Sequence, residues 1–298
     1  MKRRYVTTDV FTETKFGGNP LAVVLDAEGL DAAAMQAIAR EFNYSETTFV
    51  LPPDDAGHTA HVRIFTPVEE LPFAGHPNVG TAYVLAQIGT VFGREVGTAL
   101  VFEEAAGLVP VRILQSKGVI TGAELTAPQP LRRFSTLSPA EIAACLGIAE
   151  ASVSTRNHRP VVASVGTGFA IAELHDRATL AALRPDAAAF ATHMPVDGTS
   201  KLLAYVREGA RDVHARMFFP TPNIGEDPAT GSANAALAAM LADLDAAPEG
   251  VFRFRIIQGA DMGRPSLLLA EAEKSNGIVG TVRIGGSCVP VMEGLIDA

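Results

Sequence analysis

Cysteine is nearly absent from the chain. Its 298 residues include only Cys145 and Cys288, far apart and in no C-x-x-C pattern. That excludes a disulfide framework and a thiolate zinc site, and it fits a reducing compartment. Basic residues are also in deficit, with 24 Lys and Arg against 33 Asp and Glu and a net charge of −9. Nucleic acid and anionic membranes are therefore poor candidates for the main partner. An anionic small molecule would need local donors to hold it against that field. Long apolar runs are missing too. The most apolar stretch, Ala233 to Leu241, is too short to span a bilayer. Met1-Lys-Arg-Arg4 passes at once into strand-like Tyr5-Val-Thr-Thr8, without the apolar core of a secretory signal. A soluble, cytoplasmic protein is expected. There is no low-complexity segment, and no G-x-G-x-x-G for a dinucleotide.

What the chain does contain is one phrase written twice. His61-Val-Arg63-Ile-Phe65-Thr-Pro67 leads to Glu70-Leu-Pro72-Phe-Ala-Gly75-His76-Pro-Asn78, with Ala82 beyond. The second copy reads His214-Ala-Arg216-Met-Phe218-Phe-Pro220, then Glu226-Asp227-Pro228-Ala-Thr-Gly231-Ser232-Ala-Asn234, with Ala238 beyond. Identities in matching order, half a chain apart, indicate a duplicated domain. With 48% hydrophobic and 19% charged residues, the chain can bury two cores. The expected division is residues 1–126, with 288–298 placed to complete it, and residues 127–287, with Ala127-Pro-Gln-Pro130 as the linker.

Each half repeats one order of elements. In the first, strands over Arg4–Phe11 and Asn19–Val24 precede a helix over Asp31–Phe42. Strands at Thr47–Leu51 and His61–Pro67 follow, and Gly75 opens a helix over Pro77–Ile88. In the second, Val161–Leu174 is strand-like, Ala178–Phe190 helical, and Leu202–Val206 and His214–Phe219 are strands. Gly231 then opens a helix over Ala233–Leu244. A hairpin is expected at Val279–Ile284 and Cys288–Met292, turning at Gly285-Gly286. Both glycine-opened helices are apolar nearly all round, and a helix without a polar face must be surrounded. Strands wrapped around a central helix, once per half, is the economical architecture.

The copies differ where reactive side chains would sit, with His76 in the first and Asp227 and Ser232 in the second. A glycine at the start of each buried helix leaves free N–H groups at the positive end of the helix dipole, a ready anion site. The plainer reading is that Gly75 and Gly231 only let strand and helix pack closely. Glu46 stands where a helix gives way to an apolar strand. It is either a partly desolvated acid/base group or a solvated strand edge. Asp227 before Pro228 has the look of an N-cap, and Ser232 that of a cap or hydroxyl anchor. A hydrolase triad of His76, Asp227 and Ser232 is disfavoured, because Ser232 lies in Thr230-Gly231-Ser232-Ala233-Asn234 and not in G-x-S-x-G. His58 and His61 share no helical face, so a metal site is disfavoured as well. Arg63 and Arg216 are either solvated or support a substrate carboxylate.

Ser45-Glu46-Thr47-Thr48-Phe49-Val50, Phe73-Ala-Gly75-His76-Pro77-Asn78-Val-Gly80 and Glu226-Asp227-Pro228-Ala-Thr-Gly231-Ser232-Ala-Asn234 resemble the motifs of the phenazine-biosynthesis PhzF family. So do Asp9-Val-Phe11 with Phe16-Gly-Gly-Asn19-Pro20, and Gln258-Gly259 with Met262-Gly-Arg-Pro265. The resemblance covers essentially the whole chain. It implies an α/β (α+β) protein with the diaminopimelate epimerase-like fold, two pseudo-symmetric domains each with a curled sheet around a central helix. It also implies a homodimer and an isomerase needing neither cofactor nor metal. The substrate would be a small, carboxylate-bearing metabolite, with the cyclic trans-2,3-dihydro-3-hydroxyanthranilate as the family's named example. Glu46 would move the proton, His76 and Asp227 would hold and polarise the substrate, and Gly75, Gly231, Ser232 and Asn19 would bind it. Related epimerases use two cysteines, which would fall near Ala74 and Thr230, so a two-thiol epimerase or racemase is the lesser alternative. A binding protein that has lost turnover is the other.

Overall fold

Helix Gly75–Ile88 has no polar side: from Gly75 to Ala86 every residue is buried. Helix Gly231–Leu244 is the same, buried at Gly231 and throughout Ala233–Ala242. Such helices fold only if other elements enclose them. The computed structural model describes residues 1–220 and 225–298 and surrounds each helix with strands of its own unit. Unit one is residues 1–126 with 285–298, and unit two is residues 127–284. The divide at 126/127 falls at the start of Ala127-Pro-Gln-Pro130, and the C-terminal return to unit one begins at Gly285.

Unit one runs β1 (Lys2–Val10), β2 (Asn19–Val24), α1 (Ala32–Phe42), β3 (Glu46–Leu51), β4 (Ala60–Phe65), β5 (Glu70–Leu71) and α2 (Gly75–Ile88). A small hairpin, β6 (Thr90–Val91) and β7 (Arg94–Glu95), leads to β8 (Ala99–Glu104), β9 (Gly107–Ser116) and β10 (Val119–Thr126). The pairing is β1 antiparallel to β2, β2 parallel to β3, β3 antiparallel to β4, and β4 parallel to β8. The antiparallel strands β9 and β10 complete it. Helix α2 packs against β1, β2, β3, β9 and β10. Helix α1 covers other strand faces, with Met35, Ile38 and Ala39 against Val24, Phe49 and Phe65. Asp31 caps it by accepting from the Ala34 N–H at 2.8 Å, and Asn43 stops it in the left-handed region at φ 53°. At Gly80, α2 lies close against the strands. A Cβ there would lie 2.5 Å from Leu21 Cδ2.

Unit two runs β11 (Arg132–Thr136), α3 (Pro139–Leu146), β12 (Val153–Ser154), β13 (Val161–Ser164), β14 (Gly168–Leu174), α4 (Arg177–Ala181) and α5 (Ala187–His193). Then come β15 (Leu202–Arg207), β16 (Asp212–Phe219), β17 (Gly225–Asp227), α6 (Gly231–Leu244), β18 (Gly250–Gln258), β19 (Ser266–Ser275) and β20 (Ile278–Asp297), whose residues from Gly285 on belong to unit one. Strand β14 is parallel to β15, β15 antiparallel to β16, and β16 parallel to β18. The two units therefore share not only an order but a register. His61 faces Glu103 on β8, and its repeat partner His214 faces Ile257 on β18.

Three expectations need correcting. The helix expected over Ala178–Phe190 is two short helices, α4 and α5. Pro185 between them cannot donate its N–H, and Asp186 caps a fresh start by accepting from the Ala189 N–H at 2.8 Å. The strand-like Val161–Leu174 is two strands, β13 and β14, antiparallel to each other. The C-terminal hairpin does not exist: β20 is one 20-residue strand, pairing with β19 and then antiparallel with β1. Gly285-Gly286 is extended because β10 lies against it. A Cβ on Gly285 would sit 2.4 Å from Glu124 Cβ and 2.6 Å from the Ala123 carbonyl oxygen. Among the described residues, no helix is long and apolar enough to cross a membrane.

Because those Gly285 neighbours are backbone and Cβ atoms, they cannot swing away. Gly285→Ala is expected to destabilise the fold by about 1–3 kcal/mol, the usual cost of overpacking, read as a lowered urea midpoint. A turn glycine in open solvent would tolerate alanine with no loss beyond that of its own φ, so an unshifted midpoint refutes the close strand crossing.

Candidate active site

The polar groups of unit one collect where α2 begins. Glu46 is the first residue of β3, beside Leu21 on β2. Asn19, the first residue of β2, is fully buried. His76 is the second residue of α2, and its side chain is 4% exposed against 17% for Glu46. His76 Nδ1 lies 3.3 Å from Glu46 Oε2 and 3.4 Å from Asn19 Nδ2. Burial pushes the imidazole down to about 3, only partly opposed by the Pro20 carbonyl. The ring is therefore neutral near pH 7, and its 3.3 Å contact with Glu46 is not an ion pair.

Helix α2 takes no side-chain cap from Ala74, and α6 takes none from Thr230. Instead each carries an asparagine one turn in that reaches back. Asn78 Nδ2 donates to the Ala74 carbonyl at 2.9 Å, and Asn234 Nδ2 to the Thr230 carbonyl at 3.0 Å. The first turn is thus braced through its carbonyl side, and its dipole end is free to face an anion.

Unit two builds a tighter network at the same place. Asp227 ends β17, and α6 starts four residues later, so Asp227 is not its N-cap and Pro228 is not its first residue. Ser232 is the second residue of α6, half-buried, and Gly231 the first. Gln258, fully buried at the end of β18, ties the parts together. Its Oε1 accepts from Asn234 Nδ2 at 2.6 Å and from the Thr230 N–H at 3.2 Å. Its Nε2 donates to the Asp227 carbonyl at 2.7 Å and to Thr230 Oγ1 at 3.1 Å. Thr230 Oγ1 then donates to Asp227 Oδ2 at 2.6 Å. The polarity of this chain is set from one end: once Gln258 donates to the Thr230 oxygen, the hydroxyl proton must point at the carboxylate.

Gln258, Thr230 and the asparagine pair were not singled out from sequence for any role. The signal was present, because Asn78 and Asn234 are among the few polar residues identical in both copies. The arginines of the repeat are not available to a substrate. Arg63 clamps Glu70 with two bonds of 2.7 Å, and Arg216 clamps Glu226 with bonds of 2.7 and 2.8 Å. These twin pairs pin β5 to β4 and β17 to β16. His58 and His61 stand apart from this constellation. His58 Nδ1 bonds Glu103 Oε1 at 2.7 Å, and Glu103 also accepts the N–H groups of Asp54 and Asp55. Those bonds hold the Glu103 carboxyl down at about 2 and make it a clamp on the 54–55 turn.

Two consequences can be measured. The His76 ring should show no NMR titration between pH 5 and 8. Because its folded value is depressed, the unfolded chain takes up the proton first. His76 therefore subtracts stability as pH falls from about 6.5 towards about 3. A ring titrating near 6.5 contradicts the buried neutral imidazole. Thr230→Val leaves a Gln258 donor and an Asp227 oxygen without their partner, at an expected cost of about 1–3 kcal/mol. Thr230→Ser should recover most of it, and equal losses for Val and Ser rule out the hydroxyl as the link.

Comparison with known proteins agrees with this architecture over the full chain. The profile of the family described as phenazine biosynthesis-like protein, PhzC-PhzF, matches residues 8–294. An uncharacterized isomerase of Mesorhizobium japonicum is 40% identical over 98% of both chains. The trans-2,3-dihydro-3-hydroxyanthranilate isomerase of Pseudomonas aeruginosa is 37% identical, again over 98% of both. The crystal structure of a PhzF-family protein of Bacillus anthracis superposes with a TM-score of 0.86 at 24% identity, covering all of both chains. The fold extends to a hydroxyproline epimerase of Agrobacterium vitis, at a TM-score of 0.62 and 15% identity, over 99% of this chain and 92% of that one. With its motifs, its duplicated units and these matches in agreement, the chain belongs to the phenazine biosynthesis-like PhzC-PhzF family.

Proposed function

We propose that this protein is an isomerase that moves a proton between two carbons of a small, carboxylate-bearing metabolite, with Glu46 as the acid/base. The observation that carries the reading is the Glu46–His76 contact at 3.3 Å beside the start of α2. A carboxylate next to a neutral imidazole keeps its basicity, whereas a charged ring would hold its electrons in an ion pair. Glu46 takes a proton from one carbon, the π-electrons shift, and the same carboxyl returns the proton to another carbon. Nothing is oxidised or reduced, so the cycle balances without a cofactor.

His76 and Asn19 are assigned to the substrate's polar groups, and Gly75 to its carboxylate through the N–H groups at the α2 start. From unit two, Asp227, Gly231 and Ser232 are assigned to binding, with Asp227 oriented by Thr230. The relatives named as trans-2,3-dihydro-3-hydroxyanthranilate isomerases make that molecule the first substrate to test. A homodimer is part of the same proposal, and light scattering reads it. The two-thiol alternative is weakened by chemistry: burial pushes the Cys145 thiol up to about 11 and the Cys288 thiol up to about 12, and neither lies at a helix start.

Turnover of trans-2,3-dihydro-3-hydroxyanthranilate in D₂O should place deuterium at the product carbon that receives the proton, to the extent that the Glu46 carboxyl exchanges with solvent before it returns its proton. Glu46→Gln should lower kcat by at least about 10²-fold, with the variant's fold checked by circular dichroism. Thiol alkylation should leave the rate unchanged. A Glu46→Gln variant of undiminished rate ends the role given to Glu46. A folded wild type inert towards this compound, yet exchanging protons on another carboxylate metabolite, moves the substrate and leaves the mechanism.

A further inference from the structure

Because the two units share a register, residues outside the repeated phrase can be paired by structure. His61 faces Glu103 and His214 faces Ile257, so the next residue along, Glu104 on β8, is the counterpart of Gln258 on β18. The surroundings correspond as well. Gln258 receives Asn234, whose amide also braces the Thr230 carbonyl. Glu104 has Asn78 as its neighbouring amide, and Asn78 braces the Ala74 carbonyl. An amide in unit two and a carboxyl in unit one thus occupy one structural position, behind the first turn of each central helix.

An amide offers a donor and an acceptor, and a carboxylate offers acceptors only. Gln258 uses both ends. Both Glu104 oxygens are buried, and neither completes a hydrogen bond of normal geometry. We propose that Glu104 is held as a neutral carboxylic acid, a positioning residue that stands in for the amide of Gln258, and that its ionisation releases the start of α2 and ends activity at alkaline pH. The route is short. A charge on Glu104 would be buried behind the first turn of α2, and its burial cost is relieved when that turn, braced by Asn78 on the Ala74 carbonyl, opens to water and loosens its hold on Gly75 and His76.

Burial supports this, raising the Glu104 carboxyl to about 8, with the Asn78 amide alone opposing it among the groups that bear on it. The charged and titratable groups on the elements around it are otherwise engaged. On α2, His76 is neutral. On β4, Arg63 is clamped by Glu70, and on β9 Arg112 is paired with Glu124 at 2.6 Å. His61 faces the preceding residue, Glu103, and Glu103 is engaged with the 54–55 turn and His58.

The proposal rests on the isomerase reading only for its effect on rate, and its test separates the two. In uniformly ¹³C-labelled enzyme, one glutamate carboxyl should titrate near pH 8 and be missing from Glu104→Gln. The sign of the stability effect follows from the raised folded value. Below the ordinary carboxyl value of about 4.5 the stabilisation is fully present. It is lost by up to about tenfold in the folding equilibrium per pH unit up to about 8, and is flat above that. Urea unfolding from pH 5 to 10 should therefore show Glu104→Gln gaining on wild type up to about pH 8 and holding a constant margin beyond. The alkaline fall of kcat/KM should move upward in Glu104→Gln, and Gln258→Glu should create a new pH-dependent step in stability. No carboxyl titrating between pH 6 and 10, or parallel stability curves for wild type and Glu104→Gln, overturns the neutral acid. A Glu104 that titrates near 8 while the rate profile of Glu104→Gln stays that of wild type overturns its link to the site. If no substrate turns over at all, the carboxyl titration and the unfolding curves still decide.

Discussion

Enclosure of a helix that has no polar face is the constraint from which the rest of this structure follows. Along α2 and α6 every turn but the first must be apolar or small, which is why α6 is built so heavily of alanine. Backbone hydrogen bonds satisfy the interior, but the first four N–H groups of each helix have no partner within it. Those starts are places where a buried element must present polar atoms. Asn19, Glu46 and His76 gather at one, and Asp227, Thr230 and Gln258 at the other. The asparagine braces belong to the same constraint. They fix the first turn through the carbonyl of the residue before the helix, so the turn is held without its N–H groups being consumed.

The duplication separates scaffold from chemistry. What both copies keep is mechanical: the Arg–Glu clamps at 63–70 and 216–226, and the asparagines at 78 and 234. What differs is what could react. Leu71 corresponds to Asp227, Ala74 to Thr230 and Glu104 to Gln258. On β3 and β15, where Phe49 and Ala204 face the repeat arginines, Glu46 corresponds to Lys201. The differences come in consistent sets. The hydroxyl of Thr230 appears in the copy that has a carboxylate for it to bond, and alanine stands in the copy that has Leu71 instead.

Much of this was legible in the chain. Repeat spacing revealed the duplication, apolar content all round a helix revealed enclosure, and Glu46, His76 and Asp227 stood out as chemistry in an apolar setting. The errors have physical causes. Gly285-Gly286 was read as a turn because glycine permits one, but a glycine pair also permits close strand crossing, and only Glu124 and Ala123 on the neighbouring strand decide between them. Asp227-Pro228 carries an N-cap signature, yet β17 pairing holds Asp227 extended and shifts the helix start to Gly231. Gln258 and Glu104 could not be matched from sequence, since they lie outside the repeated phrase and only the parallel register of β8 and β18 aligns them. The protonation state of His76 was equally hidden, because it depends on how completely the ring is enclosed.

On the proposed mechanism, the neutrality of these buried groups has one purpose. Inside a low-dielectric start of a helix, each fixed charge near Glu46 would set its basicity. A protonated His76 would bind the carboxylate as an ion pair and make it a poor base. An ionised Glu104 would add a like charge to the same end of α2 and compete for the dipole that an anionic substrate needs. Keeping both the ring and the second carboxyl neutral by burial leaves Glu46 as the group whose proton can move. Unit two reaches the same condition by composition, with an amide where unit one has an acid. At that position it has nothing to ionise at alkaline pH, so the sensitivity this reading assigns belongs to the start that holds Glu46.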